Sequence, residues 1–369
     1  MIIKNGIVFQ ENRKFNQQDL YIENGRIVSD KEQVTDKEII DASGLYVIPG
    51  LVDVHSHGAV GHDFSDADIF GLQKILEYEL SCGVTSYCPT TMTLPKEKLL
   101  EAVSTVQKIK EQDNLSSLAG IHMEGPFIDA KKKGAHRKEC ICEADTSFFK
   151  ECMEKSGNRI RLVTVAPNMP DAISFIQEVK DEVVVSLGHT SADYDTAKAA
   201  FAAGANHVTH LYNAMESFSH RAPGLIGAAA ETDGCMAELI CDGIHVHESA
   251  VRAAFKLFPE RIVLISDSIR AAGMPDGVYE LGGQMVQVDN GKALLPDGTI
   301  AGSVTNLFEG MKKAVSFGIP LEEAVAAATI NPAISIGIED EVGSLAAGKR
   351  ADMLLLNKDL NLIRVIKGK

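Results

Sequence analysis

Long apolar runs are missing from this 369-residue sequence, although hydrophobic residues make up 45% of it. No segment approaches the length of about 20 apolar residues that spans a bilayer. The first residues, MIIKNGIVFQEN, also lack the apolar core of a secretory signal peptide. We therefore expect no membrane among the partners of the protein.

Paired cysteines are missing as well. The seven cysteines are odd in number and lie scattered through apolar segments. Cys140 and Cys142 lack the C-x-x-C spacing and the second pair that a zinc knuckle requires. Reduced cysteines of this kind are typical of the cytoplasm, where we expect the protein to be located.

Positive charge is in deficit, because 36 Lys and Arg residues stand against 51 Asp and Glu residues, which gives a formal net charge of −15. This balance argues against nucleic acid as a partner. It also means that an anionic substrate must be held by a specific local cation, because the overall field repels it.

Glycine-rich phosphate loops are absent too, since neither G-x-G-x-x-G nor a Walker A sequence occurs. This absence argues against a doubly wound nucleotide-binding sheet. Instead, eight short apolar runs alternate with amphipathic stretches or loops: LVDVHSHG, GVTSYCPTT, LAGIHMEGPF, IRLVTVAPN, EVVVSLGHT, ANHVTHLYNAM, MAELICDGIHV and RIVLISDS. Eight buried strands separated by helices predict an α/β protein with a (β/α)8 TIM-type barrel.

Both ends of the chain are rich in strand signals. IIKNGIVF and LYIENGRIVSD each carry an Asn-Gly between apolar stretches, which predicts hairpins, and the tail has the same character. We expect residues 1–49 and 340–369 to form one small β-sandwich domain, with residues 50–339 as the barrel domain. The turn-rich stretch MPDGVYELGGQMVQVDNGKALLPDG predicts a β-hairpin inserted after the eighth strand.

The segment DVHSHG places His55 and His57 two positions apart at the end of the first predicted barrel strand. In a strand, residues i and i+2 point to the same face, so the two imidazoles converge. Either the pair holds a metal ion, or two polar rings happen to share a strand end. The pair alone does not decide between these alternatives.

Further polar side chains lie at the ends of other predicted strands, where a barrel builds its active site. Together with the first pair they form a set from six strands: His55, His57, Glu124, His189, His210, His245 and Asp267. Histidine nitrogens and carboxylate oxygens are ligands for zinc or iron at hydrolytic sites. Their convergence on one mouth favours a metal-dependent hydrolase over a chance arrangement.

The remaining histidines have simpler explanations. Polar loops, or positions out of phase with the strand ends, account for five of them: His62, His136, His207, His220 and His247. For His136, in the basic loop KKKGAH, we expect a solvated position. His122 lies two residues before Glu124, so a supporting role on the same face is open.

Taken together, these motifs resemble the amidohydrolase superfamily and, within it, the deacetylases that act on N-acetylglucosamine 6-phosphate. The resemblance covers essentially the whole chain. It is carried by PGLVDVHSHG, HMEGPF, KKGAH, LGHTSA, THLYNAM followed by HRAPGLIGA, DGIH and SDSIRAAGMPDG. The H-x-H pair is shared by many amidohydrolases, whereas HMEGPF combined with THLYNAM and the following R-x-P-G is highly specific.

The resemblance implies hydrolysis of the acetamide of N-acetylglucosamine 6-phosphate to glucosamine 6-phosphate and acetate, in amino sugar catabolism. It implies a divalent metal, zinc or iron, on the core ligands Glu124, His189 and His210. His55 and His57 then offer a second metal site that Glu124 bridges, so that one or two ions are expected per subunit. A homodimer is expected from the same resemblance.

The resemblance also implies roles at the reaction centre. Asp267 is the expected general base and acid, and His245 is placed to hydrogen-bond the carbonyl oxygen or a sugar hydroxyl. Substrate contacts fall on Ala135, His136, Asn213, Ala214, Arg221, Asp242, His245, Ile300, Ala301 and Gly302. Of these, Arg221 is the expected phosphate partner, because its planar fork matches phosphate oxygens.

One motif departs from the family pattern, since Ser268, Ile269 and Arg270 replace small residues. We expect Arg270 to tune the pKa of Asp267 or to touch the substrate. Three alternatives remain: a deacetylase of N-acetylgalactosamine 6-phosphate, an amidohydrolase acting on a cyclic amide, and a non-catalytic scaffold. Cyclic amidases often use a carboxylated lysine on the fourth strand, where this chain has none, and a scaffold should have lost ligands.

Overall fold

The N-terminal residues form five strands, as their turn signals predict. The computed structural model, which describes residues 1–36 and 38–368, contains β1 (Ile2–Phe9), β2 (Phe15–Glu23), β3 (Arg26–Val28), β4 (Ile39–Asp41) and β5 (Tyr46–Pro49). The β2–β3 hairpin turns on Asn24 and Gly25, whose φ angles of 51° and 74° suit the left-handed turn that Asn-Gly prefers.

The middle of the chain forms the predicted barrel. Its strands are β6 (Leu51–Ser56), β7 (Gly58–Ala59), β8 (His62–Asp63), β9 (Val84–Thr91), β10 (Ser117–Leu118), β11 (Ile121–Glu124), β12 (Ile160–Val165), β13 (Val184–Leu187), β14 (His207–Val208), β15 (Met236–Ile240) and β16 (Ile262–Ile265). The strands β7 and β8 form a separate pair, and β10 is an edge addition to β9.

The other eight strands are parallel and follow the eight predicted runs in order, from β6 and β9 through β11 to β16. The backbone N–H of Asp267 donates to the carbonyl oxygen of His55 at 2.9 Å, which joins the chain after β16 to β6. This bond draws the last strand against the first, and the TIM-type barrel is confirmed.

Helices cover the outside of the barrel. They are α1 (Ile69–Ser81), α2 (Lys96–Ser104), α3 (Thr146–Lys155), α4 (Ala172–Val179), α5 (Tyr194–Ala203), α6 (Gly224–Ala230) and α7 (Glu248–Leu257). The amphipathic stretch over residues 96–112, KEKLLEAVSTVQKIKEQ, is α-helical only to Ser104 and continues as a 3-10 helix over Thr105–Lys108. There the hydroxyls of Ser104 and Thr105 donate to the carbonyls of Glu101 and Ala102, and such bonds compete with the helical backbone pattern.

After the barrel strands, the predicted hairpin is a three-stranded antiparallel sheet, the insert sheet: β17 (Gly277–Leu281), β18 (Gln284–Asp289) and β19 (Lys292–Leu294). The chain continues through α8 (Leu307–Ser316), α9 (Leu321–Ala328) and α10 (Ile330–Ser335) to β20 (Met353–Leu356) and β21 (Leu362–Ile366).

Both ends of the chain meet in one sheet. β20 pairs antiparallel with β5 and with β21, which completes a seven-stranded sheet around its own apolar core, including Val8, Val47 and Met353. In the part of the chain that the structure describes, no helix is long and apolar enough to cross a membrane. The domain division at residues 49/50 and 339/340 stays a prediction.

Candidate active site

Six of the predicted strand-end residues meet at one mouth of the barrel. His55 lies on β6 and Glu124 ends β11, while the others follow their strands; each is at most 7% exposed: His55, His57, Glu124, His189, His210 and Asp267. These residues lie far apart in the sequence, and the parallel order of the strands brings them together.

Glu124 is the centre of this cluster. Its Oε1 lies 3.0 Å from His210 Nε2 and 3.1 Å from His189 Nε2, and its Oε2 lies 3.2 Å from His57 Nε2. His55 Nε2 is 3.5 Å from the same carboxylate and 3.5 Å from Asp267 Oδ1. Several imidazole nitrogens and two carboxylates therefore share one small volume.

This arrangement fits a bound cation better than hydrogen bonding. His189 Nε2 and His210 Nε2 are only 2.9 Å apart and both face Glu124 Oε1, so N–H groups on both nitrogens would bring their hydrogens into opposition. The buried Nε2 of His55 has no hydrogen-bond partner among the described residues. A donor set of imidazole nitrogens around carboxylates suits zinc or iron.

The outer ring nitrogens show which histidines can act as ligands. His189 Nδ1–H donates to the carbonyl oxygen of Lys132 at 2.8 Å, and His55 Nδ1–H donates to Glu238 at 2.8 Å. His57 Nδ1 faces the carbonyl oxygen of Thr90 at 3.3 Å. With the proton of each of these rings held on Nδ1, the ring can offer the lone pair of its Nε2 to a metal ion.

His136 has the opposite arrangement. Its Nδ1 accepts the backbone N–H of Thr93 at 3.1 Å, so the ring proton sits on Nε2, which lies 3.3 Å from Glu124. Burial lowers the pKa of His136 to about 4, so the ring is neutral. The expectation of a solvated position was wrong, because this ring is 2% exposed. It is a hydrogen-bond donor beside the cluster.

Asp267 is held as a carboxylate. Burial alone would raise its pKa, but positive charge on the adjacent imidazoles of His55 and His57 lowers it to about 2, and a bound cation would act in the same direction. Its Oδ1 lies 3.3 Å from His57 Nε2. The group therefore faces the cluster in the form that accepts a proton.

A cavity of about 510 Å³ opens above the cluster, a volume that suits a small-molecule substrate. Of the predicted site residues, those lining it are His57, Glu124, Ala135, His136, His189, His210, Asn213, Ala214, His245, Asp267, Ile300 and Gly302. His55 lies beneath the floor, and Asp242 holds His245 Nδ1 at 2.7 Å from behind. Ala301 is fully buried between its two lining neighbours.

Two predicted contacts lie elsewhere. Arg221 is exposed and does not line the cavity of its own chain. Arg270 neither lines the cavity nor contacts Asp267; its guanidinium pairs with Asp66 and Glu280, each at 2.8 Å. The expectation that Arg270 tunes Asp267 or touches the substrate is therefore not supported by its position.

Several residues of the site do not follow from the sequence motifs. Glu238, in the middle of β15, is fully buried and contacts His55. Lys131, Lys132 and Lys133 line the cavity, although only Ala135 and His136 of their loop were predicted contacts. A single carboxylate inside the apolar run MAELI was a signal for Glu238, since a buried charge needs a partner.

The comparison with known proteins agrees with this geometry. The sequence profile of the amidohydrolase family matches residues 46–368, which is most of the chain. The chain therefore belongs to the amidohydrolase family, whose members depend on a metal.

Comparison with individual relatives shows which amidohydrolases the chain resembles. The chain is 38% identical over 377 residues to an N-acetylglucosamine-6-phosphate deacetylase of Bacillus subtilis (strain 168), covering 99% of this chain and 95% of the relative. It is 34% identical to an N-acetylgalactosamine-6-phosphate deacetylase of Escherichia coli O157:H7, covering 86% and 85%.

A solved structure of a mutant N-acetyl-D-glucosamine-6-phosphate deacetylase from Mycobacterium smegmatis, in complex with N-acetyl-D-glucosamine-6-phosphate, superposes with a TM-score of 0.91. The identity is 32%, and the match covers 100% of this chain and 97% of that one. Within the amidohydrolases, the chain thus groups with the N-acetylglucosamine-6-phosphate deacetylases.

Proposed function

We propose that the protein hydrolyses the acetamide of N-acetylglucosamine 6-phosphate, giving glucosamine 6-phosphate and acetate. The observation that carries this proposal is the ionised Asp267 beside a cluster of imidazoles whose Nδ1 hydrogen bonds leave Nε2 directed at the shared carboxylates, at the floor of a sugar-sized cavity. Full-length similarity to deacetylases of this substrate supports the same reaction.

The metal is proposed to be zinc or iron. Glu124, His189 and His210 would hold one ion, and His55, His57 and the same Glu124 would hold a second. When bound, such an ion lowers the pKa of water and polarises the amide carbonyl. Both effects are needed because an amide is a poor electrophile and water a poor nucleophile at neutral pH.

Asp267 moves the proton in this proposal. Its carboxylate accepts a proton as water attacks the acetamide carbon, and then delivers it to the departing amine nitrogen. The neutral His136 donates its Nε2–H to a substrate oxygen next to the reaction centre. His245, oriented by Asp242, presents its Nε2 to the cavity for a sugar hydroxyl or the carbonyl oxygen.

The galacto epimer is a second candidate substrate, because one similar protein is an N-acetylgalactosamine-6-phosphate deacetylase. A cyclic amide is disfavoured, since the fourth barrel strand, β12, carries no lysine for a carboxylated bridge. A non-catalytic scaffold is disfavoured because every predicted metal ligand is present and buried.

We further propose a homodimer in which Arg221 holds the substrate phosphate. The loop of Arg221 carries Phe218, an apolar side chain that is 52% exposed. The same loop begins at Glu216, which pairs at 3.0 Å with the cavity-lining Lys132, so it lies at the rim of the site. The cytoplasmic location stays a prediction.

The reaction is tested by acetate release from purified protein. Chelated protein should be inactive, and adding back about one to two equivalents of zinc or iron should restore turnover of N-acetylglucosamine 6-phosphate. The galacto epimer and the unphosphorylated sugar are measured alongside. Full activity in rigorously metal-free protein would contradict the proposal, and preference for the galacto epimer would select the second candidate.

A further inference from the structure

Glu238 is a fully buried carboxylate beneath the metal-type cluster, and the proposed reaction does not use it. It lies in the middle of β15 and is 0% exposed. Burying an ionised carboxylate is costly unless hydrogen bonds and opposite charge offset the lost solvation. The contacts of Glu238 therefore show which groups offset the cost of burying its charge.

One oxygen of Glu238 forms hydrogen bonds with residues of both proposed metal sites. Oε2 accepts the Nδ1–H of His55 at 2.8 Å and the backbone N–H of His210 at 3.1 Å. His55 belongs to the H-x-H pair, and His210 belongs to the core ligands. Oε1 lies 3.8 Å from His122 Nδ1 and 3.9 Å from His207 Nδ1, beyond hydrogen-bond distance.

The contact with His55 determines what that ring can do. With its Nδ1–H held by Glu238, His55 directs its Nε2 at Glu124 and Asp267, each 3.5 Å away, and can offer that nitrogen as a ligand. A carboxylate behind an imidazole also increases the basicity of the ligating nitrogen. His57 lacks this support, because its Nδ1 faces only the neutral carbonyl oxygen of Thr90.

We propose that Glu238 is the positioning residue that gives the H-x-H half of the site its affinity, so that the second metal ion depends on it. The proposal rests on the metal site of the proposed function. Glu238 lies on the Nδ1 side of His55, away from the Nε2 that faces the cluster, so it acts through His55 rather than as a ligand of the same ion.

The test measures metal binding and not activity. Zinc titrations by calorimetry, with metal content by mass spectrometry, compare the wild type with Glu238→Gln, which keeps the size but removes the charge. Removal of an outer-shell partner of a metal ligand typically costs 10–100-fold in metal affinity. We expect the wild type to bind two ions, and the variant to keep one at near-normal affinity and to bind the other about 10–100-fold more weakly.

Two further variants isolate the mechanism. Glu79→Gln changes another carboxylate that is 0% exposed but has no imidazole hydrogen bond among the described residues, so it should keep both ions. His55→Ala should lose the same ion as Glu238→Gln, and the double variant should lose no more than His55→Ala alone. If Glu238 acted only on the stability of the barrel, the losses of metal affinity in Glu238→Gln and His55→Ala would add in the double variant.

Several outcomes would overturn the proposal: a single ion in the wild type, two ions at unchanged affinity in Glu238→Gln, or equal losses in Glu79→Gln. If Glu238→Gln does not fold, Glu238→Asp, which withdraws the carboxylate by one methylene, is measured in its place with the same expectation. Two ions bound without acetate release would contradict the proposed function while leaving the role of Glu238 intact.

Discussion

Three residues of the reaction centre adopt a backbone conformation that costs free energy. His189, His210 and Asp267 each lie two positions after the end of a barrel strand, with φ angles of 45°, 28° and 47°. A left-handed conformation costs a non-glycine residue on the order of 1–3 kcal/mol. Glycine would relieve the strain but would remove the imidazole or carboxylate, so the strained positions are those where the chemistry requires a side chain.

Asp267→Asn tests the proton carrier, because it keeps the size of the side chain and removes its basicity. General acid–base catalysis is typically worth about 10²–10⁴ in rate, so kcat should fall by that factor. Bound metal, measured by mass spectrometry, should stay near the wild-type level. Asp297→Asn, which changes a carboxylate at the cavity mouth, should cost much less. A variant that keeps its metal and near-normal kcat would remove Asp267 from the mechanism.

Among the elements, the insert sheet forms one wall of the active site and is attached through Arg270. Leu281 ends β17 and lines the cavity, and the turn after β19 contributes Thr299 and Ile300. Arg270, 14% exposed, connects Glu280 of this sheet to Asp66, which follows β8. The replacement of a small residue by Arg270 in the family motif therefore affects the cavity wall and not Asp267.

Arg270→Met should loosen this wall while keeping the apolar stem of the side chain. Both acidic partners are more than a third exposed, so solvent screening limits the effect. We expect KM for the sugar phosphate to rise roughly threefold to tenfold, with kcat little changed, because a charged hydrogen bond is worth about 1.5–3 kcal/mol before screening. Steady-state kinetics measure both constants.

The matched control is Arg364→Met, which removes an arginine that lies on β21 of the seven-stranded sheet and pairs with Glu38 at 3.1 Å. This variant should leave both constants unchanged. A lower kcat at constant KM in Arg270→Met would assign Arg270 to the chemical step, and no change in either constant would show that the wall does not depend on it.

The whole molecule carries a net charge of −15, so its overall field repels phosphate. Specific cations near the site must therefore bind the substrate phosphate. The cations lining the cavity are Lys131, Lys132 and Lys133, whereas Arg221 is exposed and outside it. Arg221 can therefore bind the substrate phosphate, as we propose, only if it reaches the cavity of a second copy of the chain. The proposed homodimer would supply that second copy.

Subunit mixing tests this arrangement. Arg221→Ala and Asp267→Asn chains, each weakly active alone, are co-expressed with different tags and the mixed dimer is purified. It should recover about half of the wild-type kcat/KM, because one of its two sites combines an intact Asp267 with an intact Arg221. If Arg221 served its own chain, no site would be complete, and the mixed dimer would stay as weak as its parents.

The sequence alone determined the fold and most of the reaction centre. Eight apolar runs predict eight buried strands because local hydrophobic pattern sets the strands and their order. The ends of parallel strands meet at one mouth, so the strand order by itself predicts that His55, Glu124, His210 and Asp267 lie together.

Only the tertiary structure decided how these groups are held. Glu238 and His55 are 183 residues apart, and no local pattern pairs them. The proton position on His136 follows from the backbone N–H of Thr93, just after a neighbouring strand, and the partners of Arg270 come from two distant segments. Hydrogen-bond partners across a barrel depend on register and side-chain direction, which are set when the strands close into a ring.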